Sequence, residues 1–511
     1  MAAQGVLKLI LLCLLPAFTL PSKIQEGRLN VLFLMADQLR ADAVGCYGNK
    51  LAKTPNLDWL ASQGARFTNA YSTTPTCTPA RTAILTGLSP WYHGLLTYGP
   101  IAKHYTTEMP STFAANGHFT YSIGKDHFGW DKRKDRGVAH GYEGTDVYDG
   151  LDEVDDYDQW FAEQLPGTDP QATGLGWNDH GGRVYVYPEY FHPTAWVGRK
   201  AVQFIESYNR SELFFLKVSF HRPHSPYDPP ARFMNQFRPQ DVPEPHLGGN
   251  WDSDCNFTGR LPSDLCCGNV GEESIAVSRQ CYYGNVAFVD EWIGRILATL
   301  RNSSLLERTV ILFVADHGDM LGDHFRWRKS LPYESSSKIP MIFVWPPSLA
   351  VSAGGPITAP RGDVRDEVVE LRDIFPTLLD ATGQSIPKSL NGSSLLNLLR
   401  HKSSSFKWRE FIDLEHGIYC NKTFHWNGYS DGKTKYIFRA YFPDELLFDL
   451  TSDPHEMHNL AGDPAWQDTL KRWRKRLVEQ FEREQRGPKW VKDGVLQRRV
   501  KTQDHSPHYP G

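Results

Sequence analysis

Through the first three quarters of the chain, short runs of consecutive apolar residues alternate with helix-like segments, and that alternation admits few folds. Asn30 to Ala36 (NVLFLMA) reads as a buried strand, and so do Phe119 to Ile123, Leu213 to Phe220 and Val310 to Ala315. Strands of this kind, spaced by helices, belong to a mostly parallel sheet covered by helices. Thr54-Pro55 opens a helix, with Thr as cap and Pro at the first position, and Gly64 closes it. Another helix runs from about Tyr282 to Arg301, just before the last of these strands. Past residue 385 the texture changes to shorter strands, Phe411 to Leu414, Lys435 to Arg439 and Leu446 to Leu450, followed by an amphipathic helix from about Pro464 to Arg483. The expected organisation is an α/β domain over residues 23–385 and a smaller α+β domain over residues 386–511. The Asp- and Gly-rich stretch from Tyr142 to Tyr190 reads as a long loop insertion, and the basic tail after Arg486 reads as loose.

Residues 1–22 combine Lys8, the apolar run Leu9 to Leu15 and a Pro-bearing end at Ser22, the pattern of a cleaved secretory signal whose core is too short for a membrane anchor. Asn-x-Ser/Thr triplets at Asn209, Asn256, Asn302, Asn391 and Asn421 suit a glycosylated chain, secreted or lysosomal. Of eight cysteines, Cys13 falls in the signal, leaving Cys46, Cys77, Cys255, Cys266, Cys267, Cys281 and Cys420. An odd number in an oxidising compartment points to one cysteine outside any bridge. If that one is Cys77, the others can form up to three disulfides, and several pairings are open. Lys and Arg total 55 against 59 Asp and Glu, so the chain offers no broad basic field for nucleic acid, and local charges must hold any anionic substrate.

In open α/β sheets ligands collect beyond the carboxyl ends of the strands. Four of the runs end in groups fit for acid, base or ligand chemistry: Asp37-Gln38, Gly124-Lys125-Asp126-His127, His221-Arg222-Pro223-His224 and Asp316-His317-Gly318. One charged residue at a strand end is ordinarily a solvated loop, whereas four such ends together indicate a site. A fifth element is Cys77-Thr78-Pro79-Ala80-Arg81. Pro79 suits a first helical turn, so Cys77 is expected at or just before a helix N-terminus, where backbone N–H groups and the helix dipole favour an anion. Arg81, one turn on, can aim its planar fork at the same spot. The plainer reading of Cys77 is a disulfide cysteine before an ordinary helix.

Cys77-x-Pro79-x-Arg81, followed by Leu85-Thr86-Gly87, resembles the sulfatase signature, in which the cysteine is oxidised to formylglycine in the endoplasmic reticulum. Gly124-Lys125-x-His127, Pro223-His224-x-Pro226, Asp316-His317-Gly318 and Lys329-x-x-x-Tyr333-Glu334 follow in that family's order. Phe448-Asp449-Leu450-x-x-Asp453-Pro454-x-Glu456 matches a stretch common in its C-terminal domains, so the resemblance runs from Asn30 to about Leu460. It implies an alkaline-phosphatase-like fold, hydrolysis of sulfate monoesters to an alcohol and inorganic sulfate, and one divalent ion, Ca²⁺ with Mg²⁺ as the alternative.

Carried over residue by residue, the resemblance makes Asp37, Gln38, Cys77 as formylglycine, Asp316 and His317 the metal ligands. Gln38 stands where many members have a second Asp, losing a negative charge but keeping a carbonyl oxygen. The implied catalytic residues are Cys77, Arg81, Lys125, His127, His224 and Lys329. In the implied reaction the hydrated aldehyde at Cys77 supplies an oxygen nucleophile, attack on sulfur expels the alcohol, and proton loss to His127 ejects sulfate and restores the aldehyde. Lys125 and Arg81 hold the diol, while Lys329 and His224 contact the sulfate, one of them protonating the leaving oxygen. Implied partners are a formylglycine-generating enzyme during maturation and a sulfated small molecule or glycan as substrate.

A phosphomonoester or phosphodiester hydrolase on the same architecture would commonly use a Thr or Ser nucleophile and two metals; here the residue is Cys77, with one ligand set. An inactive secreted binding protein would show erosion among these positions, and only Gln38 departs from the commoner pattern. His221 is expected to be structural, and His93 and His192 are looser candidates for substrate contact, more simply read as loop histidines. Residues Glu143 to Tyr190, Cys255 to Cys281 and His416 are expected to line the entrance. Sulfated sugar, glycosaminoglycan end, steroid and aryl sulfate all fit.

Overall fold

The computed structural model describes residues 29–128, 136–149, 155–256, 258, 261–347, 349, 355–400, 407–418, 425–442, 444–499 and 503–511. The expected signal at residues 1–22, Cys420 and the triplet at Asn421 lie outside them. Among the described residues, no helix is long and apolar enough to cross a membrane.

The main sheet has eight strands: β1 (Asn30–Asp37), β2 (Ala65–Tyr71), β3 (His118–Gly124), β4 (Gly144–Val147), β5 (Leu213–Pro223), β6 (Thr309–Ala315), β7 (Met341–Val344) and β8 (Asp363–Glu370). Their order is β4-β3-β5-β1-β6-β7-β2-β8, all neighbours parallel except β7, which runs against β6 and β2. Every residue of β1 is buried, and Val31 to Met35 are at most 1% exposed. Taking five such side chains out of water is worth roughly 1.5–3 kcal/mol each, which drives this strand to the middle of the sheet. The helices Pro193–Ser207 and Glu272–Asn302 pack on each other and on β5. Gly198 permits this, because a Cβ there would come within 2.2 Å of the Trp292 ring.

A second, antiparallel sheet holds β9 (Ile412–His416), β10 (Trp426–Ser430), β11 (Thr434–Arg439) and β12 (Glu445–Asp449), in the order β12-β11-β10-β9. Strand alternation gives it two apolar faces. Ile437, Leu446 and Phe448 join Met320, Leu331 and Tyr333, on the segment that carries Lys329. Tyr436, Phe438 and Leu447 face the other way, against Leu470, Trp473, Leu477 and Phe481 of the helix Gln467–Arg483.

Several sequence expectations are corrected. Strands β2, β4, β7, β8 and β10 lack a long apolar run: β8 is an edge strand whose first half alternates half-buried residues with the exposed Val364 and Asp366, and β10 is short and centred on Gly428. The helix expected from Tyr282 begins at Glu272. Thr54 sits at its N-cap position without capping; its hydroxyl accepts from the Gly45 N–H at 2.8 Å instead. The stretch from Tyr142 to Tyr190 contains β4 and a helix, Asp156–Gln164, whose cap Asp155 accepts from the Asp158 N–H. The tail after Arg486 is docked: Trp490 and Ser506 are buried, and the Ser506 hydroxyl donates to the Trp91 carbonyl at 2.5 Å. Cys255 is bridged to Cys267, whereas Cys46 and Cys281 are free thiols like Cys77, so more than one cysteine stands outside a bridge. Cys281 lies inside the helix Glu272–Asn302, packed against Gly182.

Candidate active site

Four adjacent strands, β3-β5-β1-β6, carry at their carboxyl ends Lys125 to His127, His221 to His224, Asp37 to Gln38 and Asp316 to His317. Neighbouring strands lie about 4.8 Å apart, so adjacency in the sheet brings these groups into one site. Gly124 makes the turn out of β3: its φ is +91°, and a Cβ would meet the Ser219 carbonyl oxygen at 2.1 Å. Cys77 is the first residue of the helix Cys77–Thr86, buried along its whole length and with no side chain capping its N-terminus. The preceding Thr76 spends its hydroxyl on Ser330 and on the His416 ring, at 2.8 Å from the latter.

The Cys77 sulfur lies 3.2 Å from His317 Nε2 and 3.8 Å from both Asp37 Oδ1 and Lys125 Nζ. Arg81 clamps the site from one turn further on. Its Nε donates to Asp316 Oδ2 at 3.0 Å, one Nη to Asp37 Oδ2 at 3.1 Å, and the other to the Lys125 carbonyl at 2.7 Å and the Ser219 hydroxyl at 3.1 Å. Lys125 Nζ reaches Asp37 Oδ2 at 2.7 Å. Burial by itself would raise the Asp37 pKa, but Lys125, His224, Arg81 and His317 prevail and hold the carboxyl well below its ordinary range. Burial and Asp37 would raise the Cys77 thiol, yet Lys125, Lys329 and His317 lower it overall. Burial would lower His317 as well, and Asp316 and Cys77 raise it instead.

Asp37, Cys77, Asp316 and His317 each offer one ligand atom, all buried and all within 4.8 Å of one another. The Cys77 sulfur stands where an oxygen of an oxidised side chain would lie, which would make three of the four donors hard oxygens. That set fits one divalent cation. Gln38 is turned elsewhere: its Oε1 accepts from Lys329 Nζ at 2.8 Å and its Nε2 donates to Asp319 at 2.5 Å.

Lys329 Nζ also bonds His224 Nε2. The Nδ1 of that histidine lies 2.7 Å from the Ser225 carbonyl, which assigns the proton to Nδ1 and leaves Nε2 as the acceptor. Burial, then Lys329 and Lys125, keep His224 neutral far below its usual pKa. His127 is likewise lowered by burial, Lys125 and Arg81. Its left-handed backbone, φ +60°, is held because the N–H groups of Asp126 and His127 both donate to Asp149 Oδ1, at 2.7 and 2.9 Å. Its Nε2 lies 3.2 Å from the Tyr98 hydroxyl, on a ring left 40% exposed.

Every residue of the expected catalytic and metal set therefore gathers here. The looser histidines are bonded elsewhere. His93 is buried, with Nδ1 accepting from the Leu95 N–H at 3.2 Å, and His192 caps the helix Pro193–Ser207 through the Thr194 N–H at 3.1 Å. His221 packs beside the site, its ring 4.7 Å from His224 and its Nδ1 2.8 Å from Arg222. His416, expected at the entrance, is buried and bonded to the hydroxyl of Thr76, the residue before Cys77. Tyr98, Asp149 and Asp319 escape the sequence reading. Asp319 at least adjoins the Asp316-His317-Gly318 run, whereas Tyr98 and Asp149 have no local pattern to mark them.

A family model described as Sulfatase matches residues 29–384, and another, described as N-sulphoglucosamine sulphohydrolase, C-terminal, matches residues 322–483. The chain is 35% identical over 478 residues to the arylsulfatase of Clostridium perfringens, covering 90% of this chain and 95% of that protein. It is 29% identical over 462 residues to the choline-sulfatase of Rhizobium meliloti, covering 86% and 83%. Among solved structures, the phosphonate monoester hydrolase of Agrobacterium radiobacter shares the fold, with a TM-score of 0.73 over 89% of this chain and 96% of that one at 23% identity.

Proposed function

This chain belongs to the sulfatase family and is a sulfuric ester hydrolase, and from that premise we propose a division of labour in which Cys77, oxidised to formylglycine, is the nucleophile. The observation that carries the reading is the setting of Cys77: a buried thiol at an uncapped helix N-terminus, facing Asp37 and His317, with Lys125 and Arg81 at hand. Asp37, Asp316 and His317, with the oxidised residue 77, would hold one Ca²⁺, or Mg²⁺ as the alternative; Gln38, the fifth ligand the resemblance implied, instead gives its amide oxygen to Lys329 and its nitrogen to Asp319. Held there, the ion would supply the Lewis acidity that activates an oxygen of the oxidised residue 77 for attack at sulfur.

The chain's own residues do the rest. Arg81 holds the carboxylates of Asp37 and Asp316 with one hydrogen bond to each, and Lys125 offsets the charge of Asp37. His127, neutral in its buried position, accepts the proton that must leave residue 77 when sulfate departs. Lys329, paired with His224, binds the sulfate, and one of the two gives a proton to the leaving alcohol oxygen. The substrate is a sulfated small molecule or glycan, and a formylglycine-generating enzyme acts on the chain during maturation.

The same reading routes the chain through the secretory pathway, to the lysosome or the outside. The Cys255–Cys267 bridge supports it, as does the exposure of Asn209, Asn256, Asn302 and Asn391. It also divides the chain at residue 385, ahead of the antiparallel sheet.

The test is the mass of the proteolytic peptide containing Cys77, from protein made in a eukaryotic secretory host that supplies the converting enzyme. An aldehyde at residue 77, trapped by a hydrazine reagent, is the expected result. Full sulfate release by a Cys77→Ala variant would sink the mechanism.

A further inference from the structure

Gln38 carries an amide where many sulfatases carry a second Asp, and an amide has two unlike ends, an acceptor oxygen and a donor nitrogen. The backbone of Gln38 is pinned: its N–H donates to Asp316 Oδ1 at 3.1 Å, and its carbonyl accepts from the Tyr282 hydroxyl at 2.7 Å. What is left to decide is which end of the amide faces Lys329. Asp319 decides it, because a carboxylate can only accept. Wholly buried, it takes Gln38 Nε2 and the Tyr227 hydroxyl on Oδ2, both at 2.5 Å, and the Leu321 N–H on Oδ1 at 3.0 Å.

With the nitrogen held, Gln38 Oε1 is turned to Lys329 Nζ at 2.8 Å. The Lys329 ammonium has three donors; Gln38 and His224 take two, which leaves one for a substrate. We infer that Asp319 is a positioning residue that orients the Gln38 amide so that Lys329, held between Gln38 and His224, stands ready to protonate the leaving alcohol oxygen. This rests on the role proposed above for Lys329 and His224. An Asn at 319 loses the one-way constraint. Either its own amide nitrogen opposes the Leu321 N–H, or it turns to Gln38 and drives that amide over, setting a donor against the Lys329 ammonium.

Aryl sulfates of graded leaving-group acidity read this out, since only a poor leaving group needs a proton. Asp319→Asn is expected to lower kcat for phenyl sulfate by roughly ten-fold or more, and for 4-nitrophenyl sulfate by much less. Gln38→Met, which keeps the volume and removes both ends of the amide, is expected to show the same graded loss. The exchanged pair Gln38→Glu with Asp319→Asn should narrow the gap between the two esters again. Each kcat is normalised to the aldehyde content at residue 77, and the unfolding midpoint of each variant is recorded. Equal losses on both esters in Asp319→Asn and in Gln38→Met overturn the inference. Lys329→Ala, assayed alongside, separates the two levels: if it too loses equally on both esters, the proposed role of Lys329 fails first. If Lys329→Ala alone shows the graded loss, only the role of Asp319 fails.

Discussion

The carboxylate of Glu456 accepts a 2.6 Å hydrogen bond from the backbone N–H of Glu334, across 122 positions of sequence. Lys435 completes the link, its ammonium fully buried at 2.8 Å from Glu334 Oε1 and 3.0 Å from Glu456 Oε1. The second sheet thus grips the segment that follows Lys329. Burial opposes ionisation of both acids; Lys435 wins at Glu334, holding it down to about 2, while Glu456 stays raised by burial with Glu334 beside it. Lys435→Met would leave two carboxylates facing each other in the interior. A loss of about 3–5 kcal/mol in urea unfolding is expected, and an unchanged midpoint would show the cluster to be incidental.

Arg81 makes four hydrogen bonds with a rigid fork, two of them to Asp37 and Asp316. A lysine at 81 keeps the charge but cannot span both carboxylates. Arg81→Lys is therefore expected to lower kcat by roughly 10²–10³. Steady-state assays on protein with a confirmed aldehyde at residue 77 check this, and retention of more than half the wild-type kcat contradicts it.

Burial, with Arg372 nearby, pushes the His93 imidazole down to about 3. Below the ordinary pKa of about 6.5 the unfolded chain takes up a proton that the folded chain refuses. The stability tied to His93 is thus fully present above pH 6.5 and is lost as the pH falls from there toward 3. Asn at this position can still accept from the Leu95 N–H and does not titrate. His93→Asn should reduce the slope of stability against pH by up to about 1.4 kcal/mol per unit in that window, measured by urea unfolding at several pH values. Parallel curves for the two proteins would refute the assignment.

Asp37 and Asp316 are wholly buried in the candidate metal cluster. Dialysis against a chelator is expected to abolish turnover and lower the unfolding temperature, with Ca²⁺ restoring both. A free ion at 100 times its Kd adds about 2.7 kcal/mol to the folded state. Asp316→Asn should bind the ion more weakly in a direct titration, while an unfolding temperature indifferent to Ca²⁺ and Mg²⁺ would remove the metal from this cluster.

The mostly apolar strands β1, β5 and β6 were legible in the sequence because burial on both faces leaves a local signature, and β3, which alternates between buried and half-buried residues at its start, was legible from its aromatic and β-branched residues. So was the helix that begins at Cys77, announced by Pro79. Strands β8 and β10 were not legible. An edge strand alternates like a surface loop, and a short strand centred on Gly428 is strand only because β9 and β11 flank it.

The amino-acid order alone determined which residues could do chemistry here and that each follows a strand or opens a helix, since those signals span only a few positions. Tertiary structure decided that β3, β5, β1 and β6 are neighbours, and so brought Lys125, His224, Asp37 and Asp316 together. It also decided that Asp319 faces Gln38 and that Glu456 meets Glu334, at sequence separations of 281 and 122. The physical reason is range: periodicity records which face of an element is buried, whereas strand order and buried polar pairing are set by how whole elements pack, which no local window contains.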